Sequence, residues 1–219
     1  MTKAAASREN HRRIATVETA LPPGVTPKGA RGRILSAALR LFADRGYGGT
    51  SVRDICSEAK AQATTLYAHY PSKEHVLAEI IQLAHDDHYR RLRDALMTAQ
   101  PDPREQLSAL VRAHVVSHCD YSMLAVVATA ELHALSEAMA APILALRAQS
   151  ERLLVDVIER GIQQGVFDVP DTYLALRAIG GMGLRVSYWY TPDLGRTPEQ
   201  VGEVFAEYAR RIVGVMPAH

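Results

Sequence analysis

Residues 64–77 read TTLYAHYPSKEHVL, and this stretch decides how the first third of the chain is organised. Two threonines, two tyrosines and a histidine fall within its first seven residues, where Leu66 is the only large aliphatic side chain. Pro71 ends the helical pattern, because proline lacks an amide donor and disfavours helical backbone at the residue before it. The sequence therefore predicts a short helix over Thr64–Tyr70 that is anchored by Leu66 and presents polar groups and rings outward.

Two further helices are predicted directly before this one. Apolar residues recur at helical spacing from Gly29, and the sequence DRGYGG at 44–49 ends that pattern. Thr50 or Ser51 can cap a second helix, and Asp54 lies three residues after Ser51, as in a capping box. The segment KAQA at 60–63 separates the second helix from the third. Three short helices with a tight turn between the last two form the helix-turn-helix arrangement, in which the third helix enters the major groove of DNA.

The rest of the chain also has helical periodicity, without sustained strand alternation. Ser72 can cap a long fourth helix that continues to about Met97. Breaks at PDP, CDY, GVFDVPD and TPDLGRTP separate five more predicted helices: Arg104–His118, Ser122–Leu135, Ala141–Arg160, Thr172–Tyr190 and Pro198–Val213. The prediction is an all-α protein with a disordered N-terminal arm at 1–28, a three-helix helix-turn-helix domain at 29–75 and a larger helical domain at 76–219.

Charge is divided unevenly along the chain, although the net charge is only +1. Residues 1–75 contain 12 lysines and arginines against 6 acidic residues, while residues 76–219 contain 13 against 18. A basic first third suggests an anionic partner for that part alone, although chance segregation of charge gives the same pattern.

Cysteine usage and hydropathy indicate the compartment. Cys56 and Cys119 lie far apart and give no disulfide framework, which suits a reducing cytoplasm. The first 30 residues lack the apolar segment of a secretory signal, and no run of about 18 apolar residues occurs. We therefore expect a cytoplasmic protein without a membrane span.

The segment GRILSAALRLFADRGYGGTSVRDICSEAKAQATTLYAHYPSKEHVL resembles the N-terminal DNA-binding domain of the TetR family of bacterial repressors. The resemblance covers about residues 29–80 and rests on the patterns A..LF...G, T....I...A and TLY.HY.SKE. It implies a homodimeric transcriptional regulator, most often a repressor, that binds double-stranded DNA at a pseudo-palindromic operator.

The resemblance also implies which residues contact DNA. Phosphate contacts are implied for Thr50, Tyr67, His69 or Tyr70, and Lys73, and reach to base edges is implied for Arg53, Gln62, Ala63, Thr64 and Ala68. Hydroxyl, imidazole and ammonium groups are suitable donors to phosphate oxygens. The full predicted set is Thr50, Ser51, Arg53, Lys60, Gln62, Ala63, Thr64, Thr65, Tyr67, His69, Tyr70 and Lys73.

Two departures and one alternative qualify this set. Lys60 stands where the family usually has glycine, so the turn is either slightly tighter or capped differently, and it gains a cation that can reach phosphate. Gln62 stands where the family usually has serine. Tyr67 or Tyr70 can instead pack between helices, which would withdraw that tyrosine from the DNA.

The larger domain is similar to the ligand-binding and dimerisation domain of the family. Its final segment, IGGMGLRVSYWYTPDLGRTPEQVGEVFAEYARRIV, is similar to the last two helices of members that respond to acyl-CoA thioesters in fatty-acid or sterol-ring catabolism. In the family these helices pair with their copies, which implies a dimer interface at Gly180, Gly181, Gly183, Val204 and Tyr208. Mid-helix glycines cost about 1 kcal/mol each relative to alanine, so they indicate close helix approach, space for a ligand or a kinked helix.

A ligand site is predicted in the same domain at Tyr89, His114, His118, Tyr121, Met123, His133, Arg185 and Trp189. Arg185 and Trp189 lie four residues apart, so a cation and a ring share one helical face. This pair suits a ligand with an apolar body and an anionic group, such as an acyl-CoA, although a surface salt bridge for Arg185 fits equally well.

The histidines admit a metal site as a less favoured alternative. His114 and His118 share one helical face and can supply half of such a site, and His85 and His88 form a second pair. No Cys-x-x-Cys or His-Glu-x-x-His pattern supports it, so histidines satisfied at a core or pocket wall are favoured. We predict no metal and no other cofactor.

Two alternatives to a ligand-released repressor follow from the sequence. An enzyme is disfavoured, because the chain has no glycine-rich phosphate loop, nucleophile elbow or P-loop. A DNA-binding regulator whose larger domain only dimerises or docks a protein partner stays open. A closed apolar cavity on the order of a few hundred Å³ would favour the effector, and a filled core would favour docking.

Overall fold

A computed structural model describes residues 19–215, where nearly all of the regular structure is helical. Within that range the only isolated β-type pairing is an antiparallel bridge between Phe167 and Val215. The α-helices of this part of the chain are α1 (Gly29–Arg45), α2 (Val52–Glu58), α3 (Ala63–His69), α4 (Lys73–Thr98), α5 (Pro103–Asp120), α6 (Ser122–Ala130), α7 (Glu137–Gln163), α8 (Thr172–Val186) and α9 (Pro198–Ile212). Two 3-10 turns lie at Leu132–Ala134 and Pro192–Leu194. The all-α prediction is confirmed.

Helix boundaries differ from the predicted ones where backbone chemistry intervenes. Helix α3 ends at His69, because Tyr70 precedes Pro71 and adopts extended backbone with φ −136° and ψ 116°. Helix α8 ends at Val186 rather than at Tyr190, and the chain continues in turns. The helix boundaries therefore depend more on prolines and capping residues than on the apolar pattern.

The predicted N-terminal arm lies partly outside the described residues, which begin at residue 19. Residues 19–28 form no helix, but Leu21 is buried among the apolar side chains of the helices that follow. The Thr26 hydroxyl donates to the Pro22 carbonyl at 2.6 Å and closes a turn. This part of the predicted disordered arm therefore packs against the first helices.

The chain divides into two compact units. Of the described residues, those up to Asp87 together with Tyr121–Leu144 form the first unit, and His88–Asp120 together with those from Ala145 onward form the second. The first unit thus extends beyond the 29–75 domain predicted from sequence. The reason is α6, which is apolar on nearly all sides and buries Met123, Leu124 and Val127 in the core of the first unit.

Each unit has its own hydrophobic core. In the first, Ile34, Leu35 and Phe42 of α1 are buried with Leu66 of α3 and Leu77 of α4. This packing fixes α3 to its unit through one side chain while most of that short helix stays outside the core.

The core of the second unit joins α5, α7, α8 and α9. Each of these four helices contributes at least one fully buried side chain, for example Leu107, Val157, Val186 and Ala206. Val213 follows α9 and is also fully buried.

Both cysteines are free and buried. Burial raises the pKa of the Cys119 thiol to about 12 and also raises the pKa of Cys56. Both groups are therefore thiols at neutral pH, which makes them poor nucleophiles. None of the helices within residues 19–215 is long and apolar enough to cross a membrane.

Candidate nucleic-acid interface and effector domain

Helix α2 begins with the predicted capping box. The Ser51 hydroxyl accepts a hydrogen bond from the Asp54 amide at 3.2 Å, and the Asp54 carboxylate accepts from the Ser51 amide at 2.9 Å. The Ser51 hydroxyl also donates to the Asp54 carboxylate at 2.6 Å, and this hydrogen bond together with the one from the Ser51 amide lowers the pKa of Asp54. Arg53 is exposed beside this cap, so its guanidinium is on the surface of α2 close to where the helix begins.

The turn between α2 and α3 adopts an unusual backbone conformation at Lys60. Its φ is +50°, and it is the only non-glycine residue with positive φ in the described range. The Ala61 amide donates to the Cys56 carbonyl at 2.9 Å and closes the end of α2. Glycine adopts this left-handed conformation without a steric penalty, whereas the Lys60 side chain strains the backbone of the turn.

Helix α3 has one buried side and one exposed side. Leu66 is 0% exposed, whereas Tyr67 is 55% exposed. The other outward residues of this segment are Gln62, Ala63, Thr64, Ala68 and His69, and Thr65 is half-buried. The predicted anchor and the predicted polar surface therefore lie on opposite sides of the helix.

The two tyrosines separate into different roles. Tyr70 is buried, and its hydroxyl oxygen accepts a hydrogen bond from Arg31 Nε at 3.3 Å. Arg31 also donates to the Glu79 carboxylate at 2.8 Å, and burial raises the pKa of Tyr70. His69 and Tyr70 were predicted as alternative phosphate contacts, and of the two only His69 is exposed to solvent.

Thr50 and Lys73 are engaged inside the protein. Thr50 is buried, and its hydroxyl donates to the Gly46 carbonyl at 3.0 Å. Lys73 Nζ donates to the carbonyls of Tyr47 and Thr50, each at 2.7 Å, and lies 4.0 Å from the centre of the Tyr47 ring. In this conformation both side chains stabilise the segment between α1 and α2.

The structure divides the predicted ligand-site residues between the two units. Tyr121, Met123 and His133 belong to the first unit, and Tyr89, His114, His118, Arg185 and Trp189 belong to the second. Met123 is buried in the first core, and His133 is exposed, with its ring nitrogen 2.7 Å from the Ala130 carbonyl.

Arg185 and Trp189 are both exposed in the second unit. The Arg185 guanidinium lies 4.5 Å from the centre of the Tyr188 ring. The ring centres of Trp189 and Phe205 are 6.3 Å apart, and those of Phe205 and Tyr208 are 5.9 Å apart. These contacts form an aromatic row that joins the end of α8 to α9.

The three predicted interface glycines have different surroundings. A side chain at Gly180 or Gly181 would meet nothing within 4 Å, whereas a Cβ at Gly183 would lie 2.2 Å from Cδ2 of His114. Gly183 is therefore required for the contact between α8 and His114 within one chain. Gly181 is exposed.

A histidine cluster that neither predicted pair anticipated lies in the second unit. His88 of α4 contacts His114 and His118 of α5, with ring centres 4.5 to 5.3 Å apart. Surrounding protein atoms lower the pKa of His114. The i, i+4 spacing of His114 and His118 was visible in the sequence, but the arrival of His88 depends on how α4 packs against α5.

An open groove of about 380 Å³ lies in the second unit. Its apolar lining comes from Leu96, Leu153 and Val157, and Asp156, Glu159, Arg160 and Gln163 supply polar groups. The groove is large enough for a small ligand, but it is open to solvent, unlike the closed cavity that would distinguish an effector domain from a docking module.

Family comparisons cover both parts of the chain. Residues 34–80 match the model for bacterial regulatory proteins of the tetR family, and residues 100–213 match the model for a tetracyclin repressor-like C-terminal domain. The chain is 31% identical over 180 residues to the HTH-type transcriptional repressor KstR2 of Mycobacterium tuberculosis, covering 80% of this chain and 88% of that protein.

Solved structures of similar proteins agree with this match. A bacterial regulatory protein in the tetR family from Rhodococcus RHA1 superposes with a TM-score of 0.80 at 30% identity, covering 87% of this chain and 100% of that one. The ketosteroid transcriptional regulator KstR2 of M. tuberculosis gives 0.78 at 28% identity, covering 88% and 98%. AibR in complex with isovaleryl coenzyme A and operator DNA gives 0.71 at 25% identity, covering 84% and 97%.

Proposed function

The chain belongs to the TetR family of bacterial regulatory proteins, and from this premise we propose that it is a cytoplasmic, homodimeric repressor that leaves its operator when an acyl-CoA thioester binds. Members of the family are DNA-binding transcriptional regulators rather than enzymes. The observation that carries the proposal is the exposed polar side of α3, behind which Leu66 is fully buried.

We assign the recognition of DNA bases to exposed side chains near the start of α3 and on α2. Gln62 and Thr64 carry hydrogen-bonding groups at the N-terminal end of α3, the end that reaches base edges in helix-turn-helix complexes. Arg53 on α2 is exposed and has the bidentate geometry that suits guanine. Ala63 and Ala68 are small, so they permit close approach and offer apolar contact to thymine methyl groups.

We assign phosphate binding to a larger set of hydrogen-bond donors around the helix-turn-helix. Ser51, Lys60, Tyr67 and His69 are exposed around the helix-turn-helix, and each carries a donor for phosphate oxygens. Lys73 joins them through the one ammonium N–H that is left after its two hydrogen bonds to carbonyls. Thr50 and Tyr70 contribute by holding the fold of the domain.

Dimerisation is assigned to α8 and α9. Tyr208 is 47% exposed and Trp189 is 43% exposed, and Val204 also faces outward on α9. Exposed apolar side chains on α9 and in the turn that follows α8 are the pattern of a self-complementary interface. Gly181 is exposed and has open space above it, so a second chain can approach there, which fits a dimer on a pseudo-palindromic operator.

The effector class is supported by the relatives and by one feature of the second unit. AibR has been solved with isovaleryl coenzyme A and operator DNA together, and KstR2 is described as a ketosteroid regulator. Arg185 is an exposed cation held against the Tyr188 ring, which suits the phosphates or thioester end of a CoA ligand. An effector shifts the DNA-bound population only by its differential affinity for the two states.

Two threonine-to-alanine variants test base recognition, one on α3 and one on α6 as its control. Thr64→Ala should change the preferred operator sequence, and Thr129→Ala, an exposed threonine on α6, should leave it unchanged. Fluorescence anisotropy with operator and scrambled duplexes at several salt concentrations measures both preference and affinity. Equal preference in the Thr64 variant and the parent would contradict base reading from α3.

The effector is tested by titrating the protein–operator complex with acyl-CoAs of increasing chain length and with ring-bearing thioesters. We expect release at micromolar concentration, which is on the order of −8 kcal/mol of binding, and a weaker response in Arg185→Ala than in Arg93→Ala. Release by free apolar compounds and by no CoA thioester would refute the acyl-CoA class. A complex tightened by acyl-CoA would keep the class and refute release.

A further inference from the structure

Three histidines meet at one point of the second unit although they come from two helices. His88 Nε2 lies 2.9 Å from His114 Nδ1, and the ring centres of His114 and His118 are 4.5 Å apart. One ring nitrogen from each histidine lies within 4.8 Å of the other two. Histidines one turn apart on a helix are a standard pair of ligands for zinc, and His88 adds a third imidazole from α4.

Backbone carbonyls fix which nitrogens can bind a metal. His114 Nε2 lies 3.1 Å from the Gly180 carbonyl, which can only accept, so this nitrogen carries the proton and Nδ1 keeps its lone pair. His118 Nδ1 lies 2.7 Å from the His114 carbonyl, so Nε2 keeps its lone pair by the same reasoning. Metal-binding histidines commonly donate their second ring nitrogen to a carbonyl, which orients the ring and raises its basicity.

The surroundings hold the His114 ring in place. Gly183 leaves room for its ring, because a Cβ at that position would lie 2.2 Å from the ring. In the described part of the chain, no carboxylate or thiol belongs to the cluster, so the donor set consists of three nitrogens.

We propose that His88, His114 and His118 form a binding site for one divalent cation of the zinc type, with a fourth position open to water or to an anionic oxygen. Three imidazole ligands with an open position suit Zn²⁺ and its first-row neighbours, and are poor ligands for Mg²⁺ or Ca²⁺. Tetrahedral Zn²⁺ needs its nitrogens about 3.3 Å apart, between the 2.9 Å of the His88–His114 pair and the 4.8 Å limit of the cluster. Small side-chain rotations and a proton shift on His88 from Nε2 to Nδ1 complete the site.

This site does not depend on the proposed effector, since its residues come from α4 and α5 and a metal can bind whether or not an acyl-CoA does. It holds α4 to α5 within the second unit. The proposal therefore concerns a metal site in addition to the DNA-binding activity.

The test uses full-length protein without an affinity tag, stripped with a chelator. Zn²⁺ is titrated in competition with a chromophoric chelator, and Co²⁺ serves as a spectroscopic probe. We expect one Zn²⁺ per chain and an intense visible Co²⁺ spectrum of the four-coordinate type. His88→Gln and His118→Gln should each weaken Zn²⁺ binding by more than about 100-fold, beyond the loss typical of outer-shell changes. His133→Gln, an exposed histidine outside the cluster, should bind like the parent.

Circular dichroism in chelator verifies that the variants fold before their affinities are compared. If either cluster variant fails to fold, the Co²⁺ spectrum of the parent decides, because weak six-coordinate bands would overturn the proposal. Absence of a stoichiometric Zn²⁺ site in the parent, or parental affinity in a folded His88→Gln protein, would also overturn it and would identify the cluster as a hydrogen-bonded structural group.

Discussion

Lys73→Met is the variant for which the structure gives the most specific expectation. The substitution keeps most of the aliphatic stem and removes an ammonium that donates to the carbonyls of Tyr47 and Thr50, each at 2.7 Å. A hydrogen bond from a charged donor contributes about 1.5–3 kcal/mol, and a cation over an aromatic ring contributes about 0.5–2 kcal/mol. Part of this gain is offset by desolvation, since burial lowers the pKa of Lys73.

We therefore expect Lys73→Met to lower the free energy of unfolding of the first unit by about 2 kcal/mol, or the unfolding temperature by about 8 °C or more. Urea and thermal unfolding followed by circular dichroism measure the change. Lys60→Met is the matched control, because Lys60 is exposed, and it should stay within about 0.5 kcal/mol of the parent.

The same variant separates structure from DNA contact. If the third N–H of Lys73 reaches a phosphate, Lys73→Met also lowers the slope of log affinity against log salt by about one. An unchanged unfolding midpoint would refute the assigned carbonyl contacts, and an unchanged salt slope would remove Lys73 from the phosphate-binding set.

Three further outcomes follow from local geometry. Lys60→Gly should raise the unfolding free energy by up to about 1 kcal/mol, because it removes a side chain from left-handed backbone; a destabilised Gly variant in urea unfolding would contradict the strain. Gly183→Ala should lower the unfolding temperature of the second unit, since its Cβ would collide with His114, while Gly181→Ala should not; equal melting of the two variants by calorimetry would contradict the close contact. Desolvation lowers the pKa of His114 in the folded chain, so folding favours its neutral form. The contribution of His114 to stability is therefore fully present above its unfolded pKa of about 6.5, and it is lost as the pH falls through the unfolded and then the folded pKa. Melting temperatures from pH 7.5 to pH 5 should therefore decline less in His114→Gln than in the parent, and parallel curves would contradict this assignment.

Local sequence chemistry was sufficient to predict the helices of the DNA-binding part. Ser51 caps α2 with Asp54, and Leu66 anchors α3 as predicted. These features depend on neighbours within four residues, which a sequence displays directly. The departure from the family pattern at Lys60 was visible in the sequence, but the left-handed backbone there was not predicted from it.

Contacts between distant segments could not be predicted in the same way. The sequence offered Lys73 as a phosphate donor, and only the folded chain shows that its ammonium reaches two carbonyls more than twenty residues earlier. His88 likewise meets His114 across 26 residues. The apolar helix α6 was assigned to the larger domain by its position in the chain, whereas its side chains are buried in the first core.

In vitro selection from a random pool of duplex DNA tests the central claim most directly. Full-length protein should enrich a pseudo-palindromic sequence, and Tyr67→Ala combined with Thr64→Ala should lose or change that sequence, while Thr129→Ala, which alters an exposed threonine of α6, keeps it. Failure of the parent to enrich any sequence, or enrichment of the same sequence by the α3 double variant, would contradict operator recognition through α3.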